Sequence, residues 1–185
     1  MSDLSTFAAD RVRPLTRVRQ IRDFADRPVS SAELDAIADV ARWSGSSSNT
    51  QPWRFIVVRE RDTIRRLAEA ALPQTGALQT ATAAIAIVLP DDPGRAVSHA
   101  YDEGRAAERI LIAASTLGLG AGITWILPDR RDAIRGILGL PEDRFVRTIV
   151  AIGHPTEAAL KPKSAPGAAR LPRNEVVYRE KWPRG

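Results

Sequence analysis

The sequence predicts an α+β domain in which one long helix packs against a β-sheet. Residues 83–89 are a continuous run of Ala, Ile, Val and Leu, which indicates a buried strand. Residues 101–117 are almost wholly apolar after Arg109, over a length that suits a buried central helix. At 185 residues the chain has the length of one domain that can bury a real core. We therefore expect a single domain over residues 1–185.

The elements before the central helix follow from capping and periodicity. Ser30 and Glu33 form a capping-box pattern ahead of apolar residues at helical spacing, which predicts a helix over 31–43. The apolar run that follows predicts a strand over 54–58. Apolar residues on one face of the next segment predict a helix over 62–71.

Two glycines, Gly118 and Gly120, follow the central helix, and they have two readings. They either end the helix with a C-cap and a tight turn, or they form a glycine-rich turn beside a ligand. Beyond them the pattern predicts a strand over 123–127, a helix over 129–138 and a strand over 147–152.

The C-terminal residues 155–185 carry seven basic side chains against three acidic ones. Such a basic segment could bind nucleic acid through its phosphates. Its charges are interleaved with proline and alanine, however, and dense basic runs with stacking aromatics are missing, so we expect no nucleic acid partner. Three prolines between 158 and 172 predict that residues 155–185 form an extended arm.

Composition narrows the chemistry. With no cysteine the chain has no disulfide, no thiolate metal ligand and no thiol nucleophile, and its two histidines are too few for a histidine metal site. The first thirty residues lack the apolar core of a signal peptide, and no apolar run approaches the length of a membrane span. We therefore expect no metal, no membrane association and a cytoplasmic location.

A polar loop between the first predicted helix and strand is the strongest candidate for a ligand site. It offers short hydroxyl and amide groups just before a buried strand, where unpaired polar groups are costly unless they bind something. These groups suit a flat ligand with many polar atoms, and Pro52 fixes the backbone before the strand. The candidate side chains are Ser46, Ser47, Asn49 and Gln51.

The loop sequence Arg-Trp-Ser-Gly-Ser-Ser-Ser-Asn-Thr-Gln-Pro-Trp over 42–53 resembles the corresponding loop of the nitroreductase-like FMN oxidoreductases. Residues 19–24 with Pro28-Val29 resemble the N-terminal motif of that family. Residues 102–120 resemble its central helix and glycine-rich exit, and Arg170 with 175–177 resembles its basic tail. Four motifs in the same order make this match far more specific than any one of them.

The resemblance implies a mostly antiparallel sheet, a buried central helix and a homodimer in which the C-terminal arm is exchanged. It implies FMN as cofactor at the subunit boundary and NADH or NADPH as electron donor. The implied reaction passes a hydride through flavin N5 to a small acceptor, such as a nitroaromatic or a quinone, by a ping-pong mechanism. The chemistry is then carried by the flavin, so no catalytic side chain is expected.

The same resemblance nominates the remaining site residues. Arg19, Arg22 and Arg170 would serve the phosphate and the pyrimidine end of FMN, with Gln20 at the position where the family usually has serine. A backbone N–H facing N5 would come from the stretch Thr124, Trp125, Ile126 and Leu127. Pro128 has no N–H, so Leu127 is the last possible donor.

Two other readings stay open on the sequence. The chain could be a specialised flavoenzyme on the same scaffold, such as a dehydrogenase, a dehalogenase or a flavin-fragmenting enzyme. It could also be a non-catalytic protein that binds flavin. Three tryptophans, Trp43, Trp53 and Trp125, either wall the pocket or belong to the core.

Overall fold

A computed structural model describes residues 2–165 and 168–183. Its helices are α1 (Ser2–Thr16), α2 (Ser31–Arg42), α3 (Arg61–Ala70), α4 (Ala96–Thr116), α5 (Arg131–Leu138), α6 (Glu157–Leu160) and α7 (Arg173–Val176). Its strands are β1 (Phe24–Ala25), β2 (Arg54–Val58), β3 (Ala83–Pro90), β4 (Gly120–Trp125) and β5 (Arg144–Pro155). The predicted α+β class is therefore confirmed.

The strands form one antiparallel sheet in the order β1-β5-β3-β2, and β4 also pairs with β5. The long strand β5 organises the sheet, because β3 runs along one side of it and β4 along the other. The last two residues of β5 pair with β1. A central, antiparallel sheet was expected and is confirmed.

Strand β3 shows why its sequence is apolar throughout. Ile85, Ile87 and Leu89 belong to the core beneath one face of the sheet, whereas Ala84 and Val88 belong to the core beneath the other. Successive side chains of a strand point to opposite faces, so a strand covered on both sides needs apolar residues at every position.

Helices cover both faces of the sheet. The first face is covered by α2 and α4, which bury Leu34 and Ile110 among others. The second is covered by α3 and α5, which bury Leu67 and Ile134. The predicted central helix is thus present as α4, a helix of 21 residues with one buried face.

Several boundaries differ from the predicted ones. Helix α4 begins five residues before Tyr101, because Ala96 to Ala100 continue a turn that starts at Pro93 and do not need an apolar pattern. Strand β4 begins at Gly120 and β5 at Arg144, so both start three residues earlier than predicted. Helix α1 was not predicted, and its residues 7–16 are all exposed.

The two glycines after α4 have different roles. Gly118 has a φ of 74°, so it ends the helix in the left-handed conformation, as the C-cap reading predicted. Gly120 is instead the first residue of β4. In the C-terminal segment, residues 161–165 and 168–172 form no regular structure, and all of them are exposed. None of the helices built from the described residues is long and apolar enough to cross a bilayer.

Candidate functional site

The N-terminal segment after α1 lies directly on β4. The N–H of Ile21 donates to the carbonyl of Ala121 at 2.8 Å. Glycine makes this approach possible, because a Cβ at Gly122 would overlap the carbonyl oxygen of Ile21. A Cβ at Gly120 would likewise lie 2.8 Å from the Cβ of Ile21. The small residues of β4 therefore place residues 19–22 along the outer edge of the sheet.

Gln20 joins that segment to β4 and to Arg22. Its Oε1 accepts a hydrogen bond from the Nη2 of Arg22 at 2.7 Å and from the backbone N–H of Ile123 at 3.1 Å. Both partners are donors, so the orientation of the amide is fixed by chemistry rather than by a choice between its oxygen and nitrogen. Gln20 and Arg22 are thereby held at the open edge of β4.

Arg19 binds the start of the C-terminal segment. Its guanidinium donates to the carbonyls of Ala159 at 2.9 Å, Lys161 at 3.2 Å and Leu160. These carbonyls lie at the end of α6, where a helix leaves acceptors without partners, so an arginine is well suited to them. The Nη atoms of Arg19 are therefore already engaged by protein carbonyls.

A cleft of about 440 Å³ lies between the N-terminal segment and the C-terminal segment. It brings together four of the predicted residues from the two ends of the chain. Its lining contains four cationic side chains and no carboxylate, which is the chemistry that a phosphate dianion requires. The lining residues are Arg19, Gln20, Arg22, Ala159, Pro162, Lys163, Ser164, Ala169 and Arg170.

The polar loop before β2 has an unusual backbone. Ser48, Asn49 and Gln51 have φ values of 49°, 52° and 48°, in the left-handed region that non-glycine residues rarely adopt. Each such residue costs about 1 to 2 kcal/mol, so the surrounding contacts must hold the loop in this form. The side chains of Asn49 and Gln51 are exposed and lie 3.2 Å apart, Nε2 to Oδ1.

Two contacts hold this loop. The N–H of Gln51 donates to the Oγ of Ser46 at 2.8 Å. The N–H of Ser47 donates to both carboxylate oxygens of Asp102 at 3.1 Å. Asp102 is on α4, its side chain is 2% exposed, and Arg105 lies 3.6 Å from it. The central helix therefore fixes the loop that carries Ser46, Ser47, Asn49 and Gln51.

The end of β4 alternates between the core and the open edge. The hydroxyl of Thr124 is buried and donates to the carbonyl of Ile149 at 2.7 Å. Ile126 is fully buried, and its N–H donates to the carbonyl of Arg147 at 2.8 Å. Because backbone groups alternate along a strand, the N–H groups of Trp125 and Leu127 point away from β5. This is the edge at which Gln20 binds Ile123.

The predicted residues thus form two sets within one chain. The first set contains four residues that line the cationic cleft, Arg19, Gln20, Arg22 and Arg170. It also contains Trp125, the last residue of β4, and Leu127, which follows two residues later. The second set lies on the loop fixed by α4. In the part of the chain that the structure describes, no hydrogen bond joins the two sets. Thr124 and Ile126 have side chains in the core, and only their backbones lie near the edge.

Three residues that were not predicted as site residues also contribute to these two sets. Lys163 and Ser164 line the cleft, and Asp102 fixes the loop. Lys163 was counted only as one charge of a basic arm. Asp102 was noticed as part of a helix motif, and its acidic side chain on a largely apolar helix was the signal for a buried polar contact.

A second charged cluster joins α4 to β5 away from the cleft. Glu103 is buried and accepts from the Nε of Arg147 at 2.7 Å. Arg131 lies over the ring of Phe145, with 4.5 Å from its Cζ to the ring centroid. Burial lowers the pKa of Arg131 below its ordinary value, and the neighbouring charge of Arg147 adds to that effect. This cluster ties the central helix to the sheet.

Comparison with known proteins gives consistent matches. Residues 15–86 match the model of the nitroreductase family. A protein of Archaeoglobus fulgidus, provisionally named NADH dehydrogenase/NAD(P)H nitroreductase, is 33% identical over an alignment of 171 positions. The match covers 89% of this chain and 94% of that protein. The FMN reductase [NAD(P)H] of Bacillus subtilis is 26% identical, over 92% of this chain and 74% of that protein.

Among solved structures, the FMN-dependent nitroreductase of Clostridium difficile superposes with a TM-score of 0.78 at 25% identity. The match covers 91% of this chain and 98% of that one. A second structure, NfrA2 of Bacillus megaterium, gives a TM-score of 0.80, also at 25% identity, and covers 93% of this chain and 74% of that one.

Proposed function

Because this chain belongs to the nitroreductase family, we propose that it is an FMN-dependent oxidoreductase that transfers electrons from NADH or NADPH to a small acceptor by a ping-pong mechanism. The acceptor is a nitroaromatic, a quinone or a similar oxidant. The relatives named for FMN and for NAD(P)H support the cofactor and the electron donor. Within this chain, the main structural support for the proposal is the cationic cleft beside the open edge of β4.

The residues present fit FMN by their chemistry. Arg22, Lys163 and Arg170 offer cationic donors for a phosphate dianion in a cleft without a carboxylate. The outward N–H groups of Trp125 and Leu127 suit acceptor atoms along the edge of a flat ring. Because the Nη atoms of Arg19 already bind three carbonyls, we assign the phosphate chiefly to Arg170 and Lys163.

Bound FMN would supply a ring atom that accepts a hydride and a conjugated system that holds the electron pair. The side chains of this protein would bind and orient. Arg22 would place a positive charge at the pyrimidine end, and the polar loop would contribute Ser46, Ser47, Asn49 and Gln51. No side chain is required as an acid or base, so positioning at about 3 to 3.5 Å of the reacting atoms is the main contribution of the protein.

We also propose that the protein is a homodimer in which the loop of one subunit completes the cleft of the other. The separation of the two residue sets within one chain supports this arrangement. Exposed apolar side chains support it as well, because Val97 and Tyr101 on α4 are 73% and 72% exposed and Trp182 is 78% exposed. Light scattering coupled to gel filtration would give twice the chain mass of 20.2 kDa.

Anaerobic half-reactions test the activity directly. NADH or NADPH should bleach the flavin absorbance of the protein in the absence of oxygen, and a quinone or nitroaromatic added afterwards should restore it. Steady-state double-reciprocal plots at several acceptor concentrations should be parallel, since donor and acceptor use one site in turn. A yellow protein that neither nicotinamide bleaches would contradict the proposal and indicate a specialised or non-catalytic flavoprotein.

A further inference from the structure

We propose that Gln20 is a positioning residue that sets the place of the Arg22 guanidinium, and through it the affinity and the reduction potential of the bound flavin. The proposal rests on the proposed function, because it concerns how one side chain serves the FMN site. Its amide oxygen contacts both Arg22 and Ile123, so one side chain joins the N-terminal segment to β4.

The first step is the anchoring of Gln20. The segment that carries it is fixed on β4 by the bond from Ile21 to Ala121 and by the two glycines beneath it. The Oε1 of Gln20 then accepts from the N–H of Ile123, which is the next outward group of the same edge. A serine hydroxyl is shorter by two carbon–carbon bonds and would fall short of this N–H from the same backbone position.

Gln20 also holds the guanidinium of Arg22. The guanidinium of Arg22 is exposed and is held at 2.7 Å by the same Oε1. No salt bridge involves Arg22 among the residues that the structure describes, so the hydrogen bond to Gln20 is the polar contact that holds its guanidinium. Arginine side chains carry about 2 kcal/mol of rotamer entropy. The hydrogen bond to Gln20 restricts the Arg22 rotamers before a ligand binds, so less of this entropy is lost on binding.

The nitrogen end of the Gln20 amide remains free in the described part of the chain. Since both partners of Oε1 are donors, the Nε2 group faces away from them and donates to no acceptor within the described residues. Gln20 lines the cleft together with Arg22 and Arg170. Its Nε2 is therefore a neutral donor in the cleft. A carboxylate in its place would keep both accepted bonds but would remove the donor and add a negative charge.

A double-mutant cycle tests the coupling. The variants are Gln20→Met, Arg22→Met and the pair together, with FMN binding to the apoprotein measured by fluorescence quenching. We expect Gln20→Met to weaken FMN binding about tenfold, the scale of one hydrogen bond to a charged group. If Gln20 acts through Arg22, it should have little further effect in the Arg22→Met background. Equal effects of Gln20→Met in both backgrounds would overturn the proposal.

The reduction potential provides a readout that a purely structural role would not move. A cation at the pyrimidine end stabilises the negative charge of the reduced flavin, so releasing Arg22 should lower the two-electron midpoint potential. We expect a fall of about 30 mV in Gln20→Met. For a two-electron couple this corresponds to a tenfold change in the ratio of the affinities for reduced and oxidised flavin. An unchanged potential in this variant, with wild-type affinity, would show that Gln20 does not position Arg22.

Gln20→Asn covers the case in which the methionine variant does not fold. Its amide is one methylene group shorter, so the protein keeps a polar side chain at this position, but the amide oxygen falls short of Arg22 and Ile123 and both FMN affinity and flavin potential should fall. Wild-type affinity and potential in Gln20→Asn would overturn the proposal. Failure of the wild-type protein to bind FMN would instead contradict the proposed function, so the two failures are distinguishable.

Discussion

The backbone N–H of Ser47 donates to both carboxylate oxygens of Asp102, at 3.1 Å each, across 55 residues of sequence. This contact links the strained polar loop to the central helix. It also explains why a carboxylate is buried on α4. We therefore regard Asp102 as the residue that holds the loop ready for a ligand.

Replacing Asp102 tests this linkage. Asp102→Ala should lower the free energy of unfolding by about 1.5 to 3 kcal/mol, because a hydrogen bond to a charged group is lost. It should also weaken FMN binding, since the loop would relax from its left-handed conformations. Urea denaturation and FMN titration measure the two effects. The matched control is Asp39→Ala, which removes an exposed pair with Arg42 and should change stability by less than about 1 kcal/mol.

Gly122 tests the close approach of the N-terminal segment to β4. Gly122→Ala should destabilise the protein by about 1 to 3 kcal/mol and weaken FMN binding, because the new methyl group would displace Ile21 and with it Gln20 and Arg22. Gly136→Ala is the control. Its Cβ would meet open space within α5, so it should stabilise the protein by up to about 1 kcal/mol. Equal behaviour of the two variants in thermal unfolding would refute the packing argument.

Arg170 tests the cleft as the phosphate site. Arg170→Met should weaken FMN binding about tenfold, because one charged hydrogen-bond partner of the phosphate is lost. Arg173→Met, on the same segment but outside the cleft, should bind FMN as the wild type does. Both variants remove one positive charge, so the comparison separates a specific contact from a general effect of net charge. Titration of each apoprotein with FMN gives the answer.

The capping box of α2 makes a prediction about pH. The hydroxyl and N–H of Ser30 hold the pKa of Glu33 below its ordinary 4.5. A lowered pKa means that the carboxylate stabilises the fold at pH values above its unfolded pKa, and that this contribution is lost as the pH falls through the folded pKa. Ser30→Ala should therefore cost about 1 kcal/mol at neutral pH and less below pH 4.5. Urea denaturation of the wild type and Ser30→Ala at pH 7 and below pH 4 measures the difference in their free energies of unfolding at each pH. The same difference at both pH values would contradict the prediction.

Much of the fold follows from local sequence signals. The strand over 54–58 was predicted with the observed boundaries, because a polar loop and a charged turn delimit its apolar run. The helix that starts at Ser31 was predicted from its capping box, and both cap hydrogen bonds are present. Strand β3 was recognised because burial on both faces leaves a continuous apolar signature.

The elements that were not predicted depend on distant partners. The two-residue strand β1 exists because Phe24 and Ala25 pair with the end of β5, about 130 residues later. Helix α1 has an exposed surface and contains Pro14, so it gives little periodic signal. Hydrophobic patterns cannot reveal either of these, because neither element is defined by a buried face of its own.

The site residues likewise divide into those that the sequence predicted and those that depend on distant contacts. The polar loop and the arginine positions were visible in the sequence, because their residue types are unusual next to buried strands. What Arg19 binds was not visible, since its carbonyl partners lie about 140 residues away at the end of α6. The contact of Asp102 with the loop likewise depends on how α4 is placed against the sheet. Residue type can therefore nominate a site, but the tertiary contacts decide which groups are still free.

Titration of the flavin-free protein with FMN and with riboflavin would show whether the cationic cleft binds the flavin phosphate. Riboflavin has the same ring and ribityl chain but lacks the phosphate that the cationic cleft would bind. We expect saturation at one FMN per chain, with a shifted visible band and quenched fluorescence, and much weaker binding of riboflavin. Equal affinity for the two would contradict the role of the cleft, and no binding of FMN at all would contradict the proposed function.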